Sequence, residues 1–332
     1  MKSLLTFIIA VCTLVTSSCQ TGSNVTDGGA TTATNPYENA PAFDADSAYS
    51  FVAAQLDFGP RVPGSEGHRK CGEYIVTKMS AQADTVITQK TTVTAFTGAR
   101  LPITNILARF NPDAQERILI LAHWDTRPWA DADRNEQNHN KPIPGANDGG
   151  SGVAVMMELS RHIKGLMLSI GVDLLFVDAE DHGDSDGFGD TSSTWCLGTQ
   201  YFAEHLPYAP ESMPKYGICL DMVGGTGAVF HRDYVSNQAA GNVVDRVWSV
   251  AAVSGYGDRF INELGGSIVD DHLFINRAGI PCIDIVEHNS RATGTFPASW
   301  HTMADNLDNI DRTSLKAVGQ TILNLLYSER DL

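Results

Sequence analysis

The stretch that decides the fold runs from Gly171 to Ala179, Gly-Val-Asp-Leu-Leu-Phe-Val-Asp-Ala, and leads directly into Glu180 and Asp181. A short, nearly continuous apolar run is typical of a strand that is buried on both faces of a parallel sheet. Two adjacent acids at its end are unusual, because an unpaired buried charge is costly. Since consecutive residues of an extended chain point to opposite sides, one carboxylate can bind a metal ion while its neighbour handles a proton.

Outward from this strand, helical and extended patterns alternate along the chain. Helices are predicted over residues 47–58, 66–83, 151–164, 194–206, 243–254, 271–278 and 312–328. Strands are predicted over residues 85–96, 103–110, 117–124, 171–179, 216–223 and 281–286. This alternation predicts a single α/β domain over residues 43–332, with a mixed, mostly parallel central sheet and helices on both faces.

Other acids and histidines follow predicted strands or lie in loops, and ligands of such folds bind beyond the carboxyl ends of the strands. These side chains are His123, Asp125, Asp148, Asp221, Asp270 and His301. Carboxylates and imidazoles are ligands that zinc accepts, with an open position left for chemistry in catalytic sites. Together with Asp181 they predict a zinc site, and Glu180 is predicted to be the general base beside it.

Several of these residues have a structural alternative. Asp148 lies in Gly-Ala-Asn-Asp-Gly-Gly-Ser-Gly just before a predicted helix, where it could cap the helix or bind the metal. Asp271 is expected to cap the helix over 271–278, which leaves Asp270 to face the cleft. His301 has Trp300 before it and Asp305 four residues after it, which suggests an imidazole with an acidic neighbour.

Composition excludes some functions. The chain has 332 residues and a formal net charge of −16, which argues against a nucleic-acid partner. It contains no Cys-x-x-Cys pair, which argues against a cysteine zinc site or redox motif. For a single acidic domain of this size, we expect a monomer.

The first residues are predicted to be a targeting segment rather than part of the fold. Residues 1–18, with Lys2 before an apolar stretch, are typical of a secretory signal peptide. Cys19 follows small residues, where a bacterial lipoprotein would be cleaved and lipidated, but Thr16 stands where such signals usually carry Leu. Lipidation and simple cleavage both stay open. Residues 19–42 are predicted to be a flexible tether of an exported bacterial protein, either periplasmic or membrane-anchored.

The motifs resemble those of the zinc-dependent aminopeptidase superfamily over most of the chain after the tether. The matching strings, in order, are His123-Trp124-Asp125, Asn147-Asp148, Glu180-Asp181, Leu220-Asp221, Asp270-Asp271-His272 and Trp300-His301-Thr302. Within that superfamily, the stretch 123–131, the Asp-Asp-His motif and Phe-Pro-x-x-Trp-His-Thr-Met look like the animal-type glutaminyl cyclases and their bacterial members.

That resemblance implies a specific site and reaction. It implies one zinc ion held by Asp148, Asp181 and His301, with Glu180 as the acid/base and with Asp221 and Asp270 as supporting carboxylates. It implies Trp300 as a wall of the substrate pocket. Separately, Trp195 and Trp129 are each expected either to line the mouth of that pocket or to pack in the core. The implied substrate is a peptide or protein with an N-terminal glutamine, which cyclises to pyroglutamate and releases ammonia.

The chain departs from the animal enzymes at two of these positions. Asp181 stands where they carry Glu, and Asp284 stands where they carry His. The shorter Asp181 side chain can reach zinc only if its loop lies closer, and Asp284 must change the hydrogen bonds behind the site.

Two other functions fit the same residues. A two-zinc aminopeptidase would bind a second ion with His123 and Asp221 and would use Glu180 to activate water. A non-enzymatic binding module on the same fold is the third interpretation, but such a module would be expected to lack a ligand residue, and none is missing here.

Overall fold

The structure is a computed structural model that describes residues 36–288 and 295–331. The predicted signal peptide over 1–18, Cys19 and most of the predicted tether over 19–42 lie outside the described residues. Along the part of the chain that is described, no helix has both the length and the apolar character needed to cross a bilayer.

The main sheet grows from the strand that the sequence singled out. In chain order the strands are β1 (Thr85–Thr94), β2 (Arg100–Phe110), β3 (Arg117–His123), β4 (Gly171–Val177), β5 (Tyr216–Asp221), β6 (Phe230–Arg232), β7 (Phe260–Leu264) and β8 (Cys282–Val286). Six of them form one sheet in the order β1-β2-β4-β3-β5-β8. β4, β3, β5 and β8 pair in parallel, whereas β1 and β2 join one side as an antiparallel pair.

Helices cover both faces of this sheet. They are α1 (Ala45–Leu56), α2 (Glu66–Gln82), α3 (Gly150–Leu166), α4 (Leu197–Glu204), α5 (Tyr234–Val253), α6 (Asp271–Arg277) and α7 (Arg312–Ser328). Along β3, Ile118 and Ile120 belong to the core under α1, α2, α3, α5 and α7, whereas Leu119 and Leu121 belong to the core under α4 and α6. The period of two in a strand therefore fills both layers, and the predicted α/β domain is confirmed.

The parallel strands bring their carboxyl ends to one edge of the sheet. β3 ends at His123, β5 ends at Asp221, and Glu180 follows three residues after the end of β4. β3 is the hydrogen-bonded neighbour of both β4 and β5, so these three polar positions lie on adjacent strands. The side chains that the sequence marked for chemistry therefore start from one edge.

Candidate metal and active site

Three residues from distant parts of the chain meet at this edge. Asp148 comes from the loop before α3, Asp181 from the turn after β4, and His301 from the loop before α7. His301 Nε2 lies 3.1 Å from Asp181 Oδ1 and 3.8 Å from Asp148 Oδ2, and all three residues are buried. One ligand atom of each lies within 4.8 Å of the others, which is close enough to share one metal ion. The predicted trio is therefore brought together.

A second trio shares Asp148 with the first. His123 Nε2 lies 3.1 Å from Asp148 Oδ1 and 3.2 Å from Asp221 Oδ1. Burial disfavours a charged ring, but contacts with carboxylates outweigh it and raise the pKa of His123 well above its ordinary value. The same atoms can serve either as a hydrogen-bonded support for Asp148 or as ligands of a second ion.

Asp148 does not cap helix α3, and backbone contacts on both sides hold it in position. Gly149 is the N-cap of α3, with a φ of +82°, and a side chain there would place its Cβ 2.7 Å from the carbonyl oxygen of Asp125. The buried Asp305 carboxylate accepts hydrogen bonds from the backbone N–H groups of Asn147 (2.8 Å) and Asp148 (3.1 Å). The capping alternative for Asp148 is therefore wrong, and its side chain faces the cluster.

The turn that carries Glu180 and Asp181 is held from the β3 side. The Asp125 carboxylate accepts hydrogen bonds from the N–H groups of Glu180 (3.1 Å) and Asp181 (3.3 Å). Ala179 adopts a left-handed conformation with a φ of +50°, which lets the chain turn sharply. Glu180 Oε1 accepts a weak hydrogen bond from Cys196 Sγ at 3.5 Å, and Glu180 is not one of the trio of Asp148, Asp181 and His301.

His301 has a different acidic neighbour from the one that the sequence suggested. Its Nδ1 lies 3.3 Å from Asp131 Oδ1, whereas Asp305 is occupied with the loop before α3. Asp131 also pairs with Arg127 at 2.6 Å, and Arg127 lies 3.4 Å from Asp181. The expectation that Asp305 supports the imidazole is therefore wrong, and the supporting carboxylate is Asp131.

Behind Glu180 lies a layer of buried acids. Asp270 is the N-cap of α6, since its side chain accepts from the N–H of Asp271, so the expectation that Asp271 caps this helix is wrong. Asp284 Oδ2 lies 3.6 Å from Nδ1 of the buried His272, whose Nε2 lies 3.1 Å from Asp233. On β8, Asp284 is thus an acid that faces a histidine from α6.

Burial and mutual repulsion set the charges of these acids. Burial, followed by the nearby charges of Asp181, Asp270 and Asp271, raises the pKa of Glu180 well above its ordinary value, although His123 opposes this. Burial likewise raises the pKa of Asp221 to about 7, against the hydrogen bond from His123. In the metal-free protein, burial therefore favours the protonated forms of Glu180 and Asp221.

A cavity of about 360 Å³ opens onto the cluster. Trp300, Trp195, Phe296 and Ile268 give it apolar walls, and Glu180, Asp221 and Asp270 line it. The indole of Trp300 stacks on the His301 ring with 3.6 Å between ring centroids. Of the tryptophans that the sequence offered for the pocket, Trp300 and Trp195 therefore line the cavity.

Trp129, the other tryptophan that the sequence offered for the pocket mouth, packs elsewhere. It meets Phe96 and His182 edge-on and lies under the Arg127 guanidinium. It is not among the described residues that line the cavity, so the packing alternative holds for it.

The donors present fit a zinc ion. Asp148 Oδ2 and Asp181 Oδ2 are buried oxygens with no hydrogen-bond partner among the described residues. Burial opposes a charged His301, but Asp181 and Asp131 raise its pKa to about 9, so the metal-free ring is protonated and paired with acids. A cation at this point would satisfy the free oxygens and displace that proton, as zinc binding to imidazole requires.

This fold and site define a class of protein. Residues 105–326 match peptidase family M28, and the chain belongs to that family.

Individual proteins that are similar to this chain give a more specific comparison than the family match. A glutaminyl cyclase from Bacteroides thetaiotaomicron, solved with bound N-acetylhistamine, is 45% identical, with a TM-score of 0.83 over 87% of this chain and 99% of that one. A Zn-dependent exopeptidase from Parabacteroides distasonis is 43% identical, with a TM-score of 0.83 over 87% and 99% of the two chains. The bovine glutaminyl-peptide cyclotransferase is 24% identical over 280 residues, which is 77% of this chain and 74% of that protein.

Proposed function

We propose that this chain is a zinc-dependent glutaminyl-peptide cyclotransferase, which converts an N-terminal glutamine into pyroglutamate and releases ammonia. The observation that carries the proposal is the convergence of Asp148, Asp181 and His301 beside the buried Glu180, which lies outside that trio. The similarity to bacterial glutaminyl cyclases over almost their whole length supports it.

In this proposal a single zinc ion is held by Asp148, Asp181 and His301. When bound there, zinc would act as a Lewis acid towards the side-chain amide oxygen of the substrate. Arg127 and Asp131 fix the orientation of Asp181 and of the His301 ring through the contacts described above.

Glu180 would move the proton. The α-amine of the substrate attacks its own side-chain amide carbon, so that a C–N bond of the five-membered lactam forms and the bond to the amide nitrogen breaks. Glu180 takes a proton from the attacking amine and returns one to the departing nitrogen, which leaves as ammonia. Burial raises the pKa of this carboxyl and a nearby cation would lower it again, and this balance suits a group that must both accept and return a proton.

Asp221 and Asp270 would orient the leaving nitrogen, while Trp300 and Trp195 enclose the glutamine side chain. The reaction is intramolecular and needs neither a second substrate nor a water nucleophile. Catalysis can therefore depend largely on positioning the two reacting groups of one substrate molecule. A small cavity with aromatic walls is suited to holding one side chain in a folded conformation.

The second candidate is a two-zinc aminopeptidase. The specific observation in its favour is the trio of His123, Asp148 and Asp221, which offers ligand atoms within 4.8 Å of one another. In that case Glu180 would activate water for attack on the first peptide bond.

One experiment separates the two functions. Purified protein loaded with zinc is incubated with a Gln-peptide and with Leu-amide in separate reactions. Ammonia is measured in the first and free leucine in the second, and bound zinc is counted by elemental analysis. For the cyclotransferase we expect ammonia from the Gln-peptide, no leucine, and about one zinc per chain. Leucine release with about two zincs per chain would replace the proposal with the aminopeptidase.

The location and assembly are part of the same proposal. We infer an exported, monomeric protein that is either soluble in the bacterial periplasm or anchored through a lipid on Cys19, with no nucleic-acid partner. Mass spectrometry of the mature amino terminus distinguishes the two forms, and Cys19→Ser should release an anchored protein from the membrane fraction. Light scattering tests the monomer.

A further inference from the structure

A buried histidine–aspartate pair that the proposed chemistry does not use lies behind the catalytic turn. His68, on the first turn of α2, places its Nε2 2.9 Å and 3.0 Å from the two carboxylate oxygens of Asp178. Asp178 is fully buried, and it is the residue between the end of β4 and Ala179. His68 is therefore hydrogen-bonded to the residue that lies two positions before Glu180.

The hydrogen bonds define the state of the ring. His68 Nδ1 accepts from the backbone N–H of Gly64 at 3.4 Å, which places the ring proton on Nε2. Nε2–H then donates to Asp178, while the flat face of the ring stacks on Trp124 with 4.3 Å between ring centroids. The ring is thus fixed in both tautomer and orientation.

Asp178 passes this constraint to the turn. Its carboxylate also accepts hydrogen bonds from the N–H groups of Thr104 at 2.6 Å and of Ala179 at 2.8 Å. Ala179 has the left-handed φ of +50° that an alanine rarely adopts, so the turn needs outside support. Asp125 holds the N–H groups of Glu180 and Asp181 from the metal side, and Asp178 holds the Ala179 N–H from the α2 side.

Packing alone does not explain the histidine. A cavity of about 660 Å³ between α2 and the β1–β2 pair is lined by His68 and Trp124, so the ring is not enclosed on every side. If it only filled space against Trp124, a phenyl ring would serve equally well. What a phenyl ring lacks is the N–H that reaches both oxygens of Asp178.

We infer that His68 is a positioning residue for Glu180, acting through Asp178 to hold the strained Asp178-Ala179-Glu180 turn in its catalytic geometry. The inference rests on the proposed role of Glu180. It predicts that the loss of the His68 N–H lowers the rate of the chemical step while substrate binding is maintained.

The test compares two substitutions at one position. His68→Phe keeps the stacked ring but removes the donor, whereas His68→Gln can place an amide N–H near the position of Nε2. We expect His68→Phe to lower kcat by about 10- to 100-fold, since small misplacements of a catalytic group have effects of this size. We expect KM to change by less than about twofold, and His68→Gln to recover most of kcat.

His162 provides a matched control. It forms the same kind of pair, with Nε2 2.9 Å from a carboxylate oxygen of Glu158, but on α3 and away from the cavity. His162→Phe and His162→Gln should leave kcat unchanged.

A second readout does not depend on activity or zinc. In metal-free His68→Phe, hydrogen exchange of the amides of residues 179–181 should become faster than in wild type, with exchange in α7 unchanged as evidence of intact folding. The inference is overturned if His68→Phe retains wild-type kcat and exchange, if Phe and Gln lower kcat equally, or if only KM changes.

Failure of the proposed function would look different. If wild type releases leucine from Leu-amide and no ammonia from the Gln-peptide, Glu180 is still the base, and the same variants are compared on Leu-amide. The exchange measurement applies in either case.

Discussion

Ala179, Met222 and His301 have left-handed backbone conformations at the edge of the cavity, with φ values of +50°, +47° and +53°. Such conformations cost on the order of 1–3 kcal/mol each for residues other than glycine and persist only where the surroundings enforce them. Two of these residues directly precede or follow a cluster acid, Glu180 and Asp221, and the third is the imidazole itself. Local strain is therefore concentrated where side chains must be aimed.

Glu180→Gln tests the proton carrier. The amide keeps the size of the side chain but cannot accept and return a proton, so we expect kcat to fall by about 10²- to 10⁴-fold. Bound zinc should be unchanged, because Glu180 is outside the Asp148, Asp181 and His301 trio. Exposed Glu73→Gln on α2 is the control. Cyclisation of a Gln-peptide by Glu180→Gln at the wild-type rate would remove Glu180 from the mechanism.

Asp305→Asn tests the linkage between buried acids and stability. Burial, followed by the charge of Asp148, raises the pKa of Asp305 to about 8 from an ordinary value of 3.8. The folded state therefore binds more protons than the unfolded state between these values, so stability is lost as pH rises towards 8.

The test measures how the free energy of unfolding changes with pH. In metal-free protein, urea unfolding at pH 6.5 and pH 8 should show a free energy of unfolding that falls with pH, and Asp305→Asn should reduce that fall by on the order of 1–2 kcal/mol. Equal slopes for the two proteins would mean that Asp305 does not titrate in this range.

At the level of single residues, sequence reasoning located the side chains that meet but not those that hold them. Asp148, Asp181 and His301 could be found because acids and histidines at strand ends are conspicuous. Asp125 and Asp305 accept hydrogen bonds from backbone N–H groups. Nothing in the sequence distinguishes an acid with that role from a metal ligand. The Asp131 contact depends on how a long loop folds, which residue spacing does not encode.

At the scale of elements, α3 lies so close to the sheet that a glycine is required in its first turn. A Cβ on Gly152 would lie 2.2 Å from the carbonyl oxygen of Leu220 and 2.9 Å from the Ala122 Cβ. The helix begins directly after Asp148 and Gly149, so any displacement of α3 also moves the predicted metal ligand.

Gly152→Ala should therefore destabilise the protein by about 1–3 kcal/mol and reduce zinc affinity, because backbone atoms cannot yield as a flexible side chain would. Gly165, near the end of the same helix, has open space around its Cβ position. Gly165→Ala should be neutral or stabilising by up to about 1 kcal/mol. Chemical denaturation of both variants checks the contrast, and equal effects at the two sites would contradict it.

Elements with strong periodicity could be predicted to within a few residues, and those formed by weak local signals could not. β6 and β7 form a separate two-stranded sheet, and their short segments carry no alternating pattern. α5 begins nine residues before the predicted helix over 243–254, because Asp233 caps a polar stretch that continues through a kink at Ala240. Strand order likewise depends on tertiary packing.

At the scale of the whole molecule, the chain has a net charge of −16, and the cavity is likewise lined mainly by acidic groups where it carries ionisable side chains. The described residues that line it include the carboxylates of Asp148, Glu180, Asp181, Asp184, Asp221 and Asp270, with two imidazoles and no Lys or Arg. Burial favours the protonated forms of Glu180 and Asp221, and bound zinc would offset two further charges. The remaining acids, Asp184 among them, make the entrance anionic. Of the six acids, Asp184 belongs to the long loop over 182–193 and is neither a predicted ligand nor a predicted catalytic group.

This field should select peptides by the residue that follows the glutamine. We expect a Gln-Lys peptide to have a lower KM than a Gln-Glu peptide by about 3- to 10-fold at low salt, since a cleft of one sign concentrates opposite charge. The difference should shrink as added salt shortens the Debye length from about 10 Å at 0.1 M to about 3 Å at 1 M. Asp184→Asn should reduce the difference in KM between the two peptides. Asp57→Asn, which also removes one negative charge but at the exposed end of α1, should leave that difference unchanged. Equal KM values for the two peptides, or equal effects of the two variants, would show that the cavity acids do not read substrate charge.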